Sequence, residues 1–462
     1  MRDAYDSSEL RILMHDATAR ALRYIEGLDE RSVAPTAEAV AQLDELDVAL
    51  PEVGANPMAT LAELDRHSAA TIGMNGPRFF GFVIGGALPA ALAANWLAGA
   101  WDQNAGLVAT SPVAAQIEAV ALRWLVNLLG LPEGTGAGFV TGATMASFSC
   151  LVAARHAVLE AAGWQVEADG LFGAPPITVV VGEEAHTTLF KSLGLAGFGR
   201  NRVVRVPVDD QGRMRADAFP ELSGPTIVCL QAGNVNSGAF DPLAAIIPRA
   251  KAAGAWVHID GAFGLWAAAS PQYAPLLAGY ADADSWATDA HKYLNTPYDS
   301  GLAFVRDSQV LRAAMSVTAA YLPVGDRRNP SDYTPELSRR ARGIEVWAAL
   351  RSLGRSGVAE LVERTCRHAR RFAEGLREAG YEVLNDVVLN QTLVAFGDAE
   401  TTLRVIAGIQ HDGACWTGGT IWQGRTAMRI SVSSWRTTDA DVERSLEAMI
   451  RVARATTAGR DG

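Results

Sequence analysis

Short apolar runs recur between residues 77 and 350, and most are bounded by glycine, proline or charged helical stretches. Runs of this kind are typical of strands that are buried on both faces of a mostly parallel sheet. The strand candidates are residues 138–140, 177–181, 203–206, 227–230, 256–259 and 302–305. Because helical patterns separate these runs, the sequence predicts an α/β domain with helices on both sides of the sheet.

Helical spacing of apolar residues dominates the two ends of the chain. At the N-terminal end it predicts helices over residues 9–26, 36–46 and 59–72, with too little apolar content for this segment to fold alone. At the C-terminal end it predicts helices over residues 358–379, 400–411 and 438–453, and strands over 391–396 and 427–432. We therefore predict three parts: a helical segment (1–76) that wraps another domain or a second subunit, a large domain (77–350) and a small α+β domain (351–462).

One stretch, residues 79–101, holds twenty-three positions without a charge and so satisfies the length criterion for a membrane span. It also contains Pro89, Asn95 and four glycines, and about half of it is alanine or glycine. These residues favour a buried loop and helix, at a subunit interface or in the core, over a membrane helix.

The composition is that of a globular protein, with 462 residues of which 49% are apolar and 20% charged. A net charge of −11 argues against nucleic acid or an anionic membrane as a partner. The four cysteines are widely spaced and match no metal-binding pattern, so we expect reduced core thiols and no bound metal. Since residues 1–11 are charged and lack an apolar signal region, the expected location is the cytoplasm.

Asp260 and Lys292 carry the most specific chemical signal. Asp260 ends the apolar run 256–259, and the small residues Gly261 and Ala262 after it let a flat ring lie against the backbone. Lys292 follows the next strand. A carboxylate that is buried, as Asp260 is expected to be, needs a cationic partner. Pyridoxal phosphate uses such a pair, because the lysine holds it as a Schiff base and the carboxylate keeps its pyridine nitrogen protonated. The pair therefore predicts this cofactor, with Asp260, Ala262 and Lys292 as contacts.

A phosphate site is predicted at the start of a helix. Ala143 and Thr144 lie in a small-residue turn that opens a helical stretch, where free N–H groups and the helix dipole favour an anion. Many ordinary helices begin with such a turn, so this signal gains its value from the residues around it. Thr288 and His291, beside Lys292, add two candidate phosphate contacts.

Two more polar residues follow other strands. His186 is placed to stack on the pyridine ring and to reach a substrate carboxylate, although a lone histidine at a strand end is more often a capping residue. Asn234 is placed to hydrogen-bond the phenolate oxygen of the cofactor, although a tight turn explains it as well. Because ligands of open α/β sheets bind at the carboxyl ends of the strands, we expect all these residues in one site.

The set of motifs resembles the fold-type I pyridoxal-phosphate enzymes, and among them the group II amino-acid decarboxylases. The likeness extends from about residue 79 to residue 452. Its specific parts are Ala185-His186, His258-Ile259-Asp260-Gly261-Ala262, His291-Lys292, Arg429-Ile430-Ser431-Val432-Ser433 and Trp435-Arg436-Thr437-Thr438-Asp439. The resemblance implies a large domain with a mostly parallel seven-stranded sheet and a homodimer with its active site at the subunit interface. It also implies decarboxylation of an amino acid to an amine and carbon dioxide.

Two positions depart from the family pattern. Asn234 stands where these decarboxylases usually carry a threonine, and Gly142-Ala143-Thr144 stands where they usually carry Gly-Gly-Ser. Neither change removes the chemistry, so both indicate a divergent branch.

A lid is predicted over residues 318–343, a polar stretch with proline and glycine at a suitable distance after the lysine. In the family that the chain resembles, a tyrosine on a mobile loop protonates the substrate carbon. Tyr333 is the preferred candidate for this acid and Tyr321 the second, while a solvent-exposed tyrosine in a surface loop is the alternative. A tyrosine here favours simple decarboxylation, whereas a phenylalanine accompanies oxidative conversion to an aldehyde in related enzymes.

The family arrangement that the resemblance implies makes Phe82 and Trp101 the predicted substrate contacts, which favours an aromatic or bulky apolar amino acid, although a core role explains such residues as well. Asp102 and Gln103 equally suit a polar or basic side chain, and Arg429 suits either a carboxylate or a structural ion pair. The open alternatives are an aminotransferase, an oxygen-dependent aldehyde synthase, a carbon–carbon lyase and a non-enzymatic regulator.

Overall fold

The computed structural model describes residues 7–317 and 327–458. Within them, seven strands form one sheet with the spatial order β1-β7-β6-β5-β4-β2-β3. These strands are β1 (Gly136–Val140), β2 (Thr178–Gly182), β3 (Val203–Val206), β4 (Thr226–Gln231), β5 (Trp256–Asp260), β6 (Ser285–Asp289) and β7 (Gly301–Val305). Strands β2 to β6 pair in parallel, and β7 is antiparallel to both of its neighbours. The predicted α/β fold with a mostly parallel seven-stranded sheet is confirmed.

Helices cover both faces of this sheet because successive strand residues point to opposite sides. On β2, Val179 and Val181 join the core beneath α6 and α8, whereas Val180 joins the core on the other face. The helices of the large part are α4 (Pro89–Trp101), α5 (Pro112–Leu128), α6 (Ala143–Ala161), α7 (Val166–Asp169), α8 (Thr187–Leu195), α9 (Leu243–Ala252) and α10 (Ser308–Met315). Three helices precede them: α1 (Ser7–Glu26), α2 (Ala37–Ala41) and α3 (Pro57–Arg66).

The C-terminal part holds a second, antiparallel sheet with the order β10-β11-β9-β8. Its elements are α11 (Gly343–Glu378), β8 (Glu382–Val383), β9 (Gln391–Ala395), α12 (Ala399–Asp412), β10 (Gly418–Trp422), β11 (Arg425–Ser431) and α13 (Asp439–Ala458). Helix α11 is broken at Gly354, where φ is 62°. This break lies close to the boundary predicted at residue 351, and the three-part division of the chain stays a prediction.

The uncharged stretch 79–101 divides into a loop and the thirteen-residue helix α4. Phe79, Phe80 and Val83 are buried, whereas Trp96 and Trp101 on α4 are exposed. Among the described residues, no helix is long and apolar enough to cross a membrane. Helix α1 buries none of its residues and exposes Leu10, Ile12 and Met14, so apolar side chains remain uncovered at both places.

Candidate active site

The carboxyl edge of the large sheet brings together the residues that follow its strands. Asp260 is the last residue of β5, and its strand is paired with β4 and β6. Lys292 follows β6, and His186 follows β2. Both side chains act electrostatically on the Asp260 carboxylate. The structure therefore assembles these three predicted residues at one edge, while their catalytic roles stay predictions.

Asp260 is a buried carboxylate, with 6% of the residue exposed. Burial raises the pKa of its carboxyl group above the ordinary value, although His186 and Lys292 oppose that shift. Its Oδ1 accepts a hydrogen bond from the N–H of half-buried Ala262 at 3.2 Å. A cationic ring nitrogen next to this carboxylate would offset the cost of its burial.

His186 caps the N-terminus of α8 with its imidazole ring. Its Nδ1 lies 3.3 Å from the backbone N of Thr188 and 2.6 Å from the Thr188 hydroxyl oxygen. Because a backbone N–H can only donate, Nδ1 is the acceptor and the ring proton resides on Nε2. Burial lowers the pKa of His186 below its ordinary value, although the nearby Asp260 carboxylate opposes that shift. With Nδ1 engaged by the main chain, the ring proton on Nε2 is the one that can serve another acceptor.

The N-terminus of α6 forms the predicted phosphate end of the site. The Ala143 N–H, the first of the helix, donates to Asp289 Oδ1 at 2.6 Å, and Thr144 beside it is half-buried. His291 Nδ1 accepts a hydrogen bond from the Ser300 N–H at 3.2 Å. The Thr288 hydroxyl donates to the Ala262 carbonyl oxygen at 3.3 Å, so its proton is already engaged by the main chain. The phosphate contacts of these residues stay predictions.

Gly301 of β7 packs closely against the Gly142 backbone, just before the start of α6. A Cβ added at Gly301 would lie 2.4 Å from the Gly142 Cα, a separation that real Cβ atoms do not tolerate. We therefore expect Gly301→Ala to displace the Gly142 turn and to weaken cofactor binding by about tenfold or more, in keeping with the usual cost of overpacking. Titration of the cofactor-free variant with pyridoxal phosphate measures this. Gly54→Ala is the control, because a Cβ there meets open space, and unchanged affinity in Gly301→Ala would contradict the expectation.

Asn234 is buried and serves a turn. Its side-chain oxygen accepts from the N–H groups of Asn236 and Ser237, and its Nδ2 lies 3.4 Å from Glu184 Oε2. The same Glu184 oxygen accepts from Trp422 Nε1 at 2.9 Å, which fastens β10 to this edge of the large sheet. One amide proton of Asn234 remains for another acceptor, so its contact with the phenolate oxygen stays a prediction.

An aromatic wall, formed by Phe79, Phe82 and Trp416, stands beside the lysine. Phe79 and Phe82 stack on Trp416 with ring centroids 5.0 Å and 6.0 Å apart. A Cβ added at Gly85 would lie 2.0 Å from the Lys292 carbonyl oxygen, so this segment runs directly along the lysine loop. Phe82 is three residues before Gly85, and three residues of chain span at most about 10 Å. Phe82, which is 60% exposed, therefore lies close to the candidate site. Trp101 lies apart from this wall, at the far end of α4, and is 44% exposed.

Tyr333 packs beside β1, the edge strand of the large sheet, which lies two strands away from β6, the strand that precedes Lys292. It ends the short 3₁₀ turn Pro330–Tyr333, and a Cβ added at Gly138 of β1 would lie 2.5 Å from its carbonyl oxygen. The guanidinium of Arg328 lies 4.2 Å from the centroid of its ring. The role of Tyr333 as the acid that acts at Lys292 stays a prediction. Tyr321 lies outside the described residues.

Sequence reasoning missed two residues of the site and left a third undecided. Asp289 was missed although it ends β6, and an acidic residue at a strand end three positions before Lys292 was a usable signal. Trp416 carried no signal, because only folding brings the C-terminal part against Phe79. Arg429 of β11 donates to the Val235 carbonyl oxygen at 3.1 Å, and burial lowers the pKa of its guanidinium to about 10.

Comparison with known proteins identifies relatives of the whole chain. The model of the pyridoxal-dependent decarboxylase conserved domain matches residues 45–397. Tryptophan decarboxylase 1 of Oryza sativa subsp. japonica is 29% identical over 93% of this chain and 90% of its own length. The L-2,4-diaminobutyrate decarboxylase of Rhizobium meliloti (strain 1021) is 29% identical over 89% of this chain and 85% of its own. The crystal structure of Oryza sativa TDC with PLP and tryptamine superimposes with a TM-score of 0.89, at 24% identity and with 97% and 98% of the two chains covered.

Proposed function

Because this chain belongs to the pyridoxal-dependent decarboxylase family, which confirms the predicted cofactor and the carboxy-lyase class, we propose that it decarboxylates an aromatic or bulky apolar L-amino acid to the corresponding amine. The relatives act on amino acids of several kinds, so the side-chain preference is the part that needs its own support. The observation that supports an aromatic or bulky apolar side chain is the aromatic wall beside Lys292. Its stacked rings, of which Phe82 is exposed, favour contact with a flat apolar group.

The donor set fits pyridoxal phosphate. Lys292 offers the amine, Asp260 offers a buried carboxylate, and the start of α6 offers backbone N–H groups for a phosphate. When bound, the cofactor supplies an electron-poor ring that accepts the electron pair left behind when the carboxylate departs as carbon dioxide. The protein supplies orientation, charge and protons.

We assign each residue one task. Lys292 Nζ holds the cofactor, and Asp260 keeps its ring nitrogen protonated. His186 packs on the ring and donates from Nε2 to the departing substrate carboxylate, in the tautomer that Thr188 imposes. Tyr333 delivers a proton to the α-carbon once carbon dioxide has left, and the amine is then released. Phe82 and Trp101 contact the substrate side chain.

We propose that the active site is shared between two copies of the chain. Support comes from the apolar residues left uncovered on α1 and α4, because exposed apolar patches of this kind usually mark interfaces. Trp101, remote from the aromatic wall of its own chain, would then line the site of the partner.

Phe82→Ala is expected to raise the KM for an aromatic substrate and to lower kcat/KM by about ten- to a hundredfold, because a pocket contact of one apolar side chain is worth about 1–3 kcal/mol. The side chain is 60% exposed, so folding should be little affected. Steady-state kinetics with tryptophan, phenylalanine and tyrosine measure the effect. Phe172→Ala, which removes a ring that is 98% exposed elsewhere, is the control. An unchanged kcat/KM for all three substrates would show that Phe82 does not contact the substrate.

A second candidate preference, for an acidic amino acid, is favoured by Arg429. Its guanidinium lies in the neighbourhood of His186, and burial alone accounts for its lowered pKa, so among the described residues no nearby carboxylate compensates its charge. A substrate side-chain carboxylate would provide that compensation. Under this reading aspartate or glutamate is turned over faster than any aromatic amino acid, and Arg429→Gln abolishes that preference. Under our proposal Arg429→Gln leaves the order of substrates unchanged.

A further inference from the structure

Asp289 is a buried carboxylate within the candidate site that the proposed reaction does not use. It ends β6, three residues before Lys292, and its side chain is 3% exposed. Its Oδ1 accepts a hydrogen bond from the Ala143 N–H at 2.6 Å, and its Oδ2 lies 2.9 Å from Lys292 Nζ. One carboxylate thus engages both the helix terminus proposed for the phosphate and the amine proposed to hold the cofactor.

The surroundings of Asp289 suit an anion. His291 Nε2 lies 3.6 Å from Oδ1, and it carries the ring proton because Nδ1 accepts from the Ser300 N–H. A Cβ added at Gly142 would lie 3.4 Å from Oδ1 and 3.3 Å from His291 Cε1, so there is little free space. The Asp289 carboxylate therefore lies among the hydrogen-bond donors that the sequence predicts for the cofactor phosphate.

The main chain of Asp289 is fixed, so the carboxylate leaves this position only by rotation of its side chain. The Asp289 N–H donates to the Ala262 carbonyl oxygen at 2.9 Å, and the Asp289 carbonyl oxygen accepts from Trp266 Nε1 at 3.0 Å. Two anions cannot share the Ala143 N–H, because like charges in contact at a partly buried site repel each other strongly.

We infer that Asp289 competes with the phosphate of the cofactor for the start of α6. The inference rests on the proposed function and on the phosphate contacts of Ala143 and Thr144. Without cofactor, Asp289 satisfies the Ala143 N–H and neutralises Lys292; on loading, it yields the N–H to the phosphate. The carboxylate therefore lowers the affinity for the phosphorylated cofactor and keeps the cofactor exchangeable. Asparagine, which has the same size, removes the charge and can donate to the phosphate.

The test compares pyridoxal phosphate with pyridoxal, which lacks the phosphate. Dissociation constants of both are measured on the cofactor-free wild type and on Asp289→Asn. Loss of the ion pair to Lys292 changes both constants alike, so the ratio of the pyridoxal constant to the pyridoxal phosphate constant isolates the phosphate. We expect this ratio to rise by about tenfold or more in Asp289→Asn, the scale of a like-charge contact in a partly buried site.

Two further measurements keep the test decisive. Asp217→Asn removes an exposed charge that pairs with Arg215 at 2.5 Å, and should leave the ratio unchanged. Inorganic phosphate should raise the melting temperature of cofactor-free Asp289→Asn more than that of the wild type, and Asp289→Ser serves if the asparagine variant does not fold. An unchanged ratio in a wild type and variant that both bind pyridoxal phosphate would overturn the competition and leave the proposed function standing. Failure of the wild type to bind pyridoxal phosphate would overturn both.

Discussion

Lys292→Ala is expected to abolish amine formation, with a loss of roughly 10⁴-fold or more, the scale on which removal of a covalent catalytic group acts. The chain contains three lysines, Lys191, Lys251 and Lys292, so few other amines are available to hold the cofactor. Only Lys292 lies at the carboxyl edge of the large sheet beside Asp260. The measurement is turnover of the cofactor-saturated variant, together with borohydride reduction of the loaded protein and peptide mapping of the modified lysine.

Lys191→Ala is the matched control, because this lysine is exposed on α8 and takes no part in the site. We expect it to retain wild-type turnover and to leave the label on Lys292. A label on Lys191 or Lys251 in the wild type, or full activity of Lys292→Ala, would refute the assignment of the site.

Tyr333→Phe is expected to slow amine formation by about 10²- to 10⁴-fold, because it removes the proposed proton donor to the α-carbon. The aldehyde share of the product should rise, since the carbon that is not protonated stays exposed to oxygen. Single-turnover kinetics with product analysis measure both effects. Unchanged products would move the acid role to Tyr321 or to another group.

Co-expression of Lys292→Ala with Tyr333→Phe separates the two ways in which Tyr333 can reach a site. If the tyrosine acts across the subunit interface, each mixed dimer contains one site with both residues intact. Random pairing then restores about a quarter of the wild-type rate, because about half of the dimers are mixed and one of their two sites is complete. If Tyr333 acts within its own chain, no site is complete and the mixture remains inactive.

Much of the large sheet follows from the apolar pattern. The runs at 177–181, 203–206, 227–230 and 256–259 became β2 to β5 because strands buried on both faces need continuous apolar side chains. The small sheet was only half predicted: β9 and β11 carry apolar runs, whereas β8 has two residues and β10 opens with Gly418-Gly419. The start of α11, residues 343–353, was missed because it lies between the predicted lid and the predicted helix at 358.

The candidate site follows from the sequence where the chemistry lies next to a strand end. Asp260 ends a strand, and His186 and Lys292 follow strands within a few residues, so the rule for parallel sheets places them together. Long-range contacts could not be predicted in this way. Trp416 reaches Phe79 and Phe82 only through the packing of the C-terminal part, and Arg429 reaches the neighbourhood of His186 by the same route. The tautomer of His186 depends on one backbone N–H of α8, which no residue pattern reveals.

The central claim, decarboxylation of an aromatic or bulky apolar amino acid, is tested most directly by product analysis. The purified, pyridoxal-phosphate-loaded protein is incubated with a pool of amino acids with and without oxygen, and the products are identified by mass spectrometry. We predict an amine from an aromatic or bulky apolar amino acid, formed equally in both atmospheres. An aldehyde that forms only in air, a keto acid, or an amine derived only from acidic amino acids would contradict the claim.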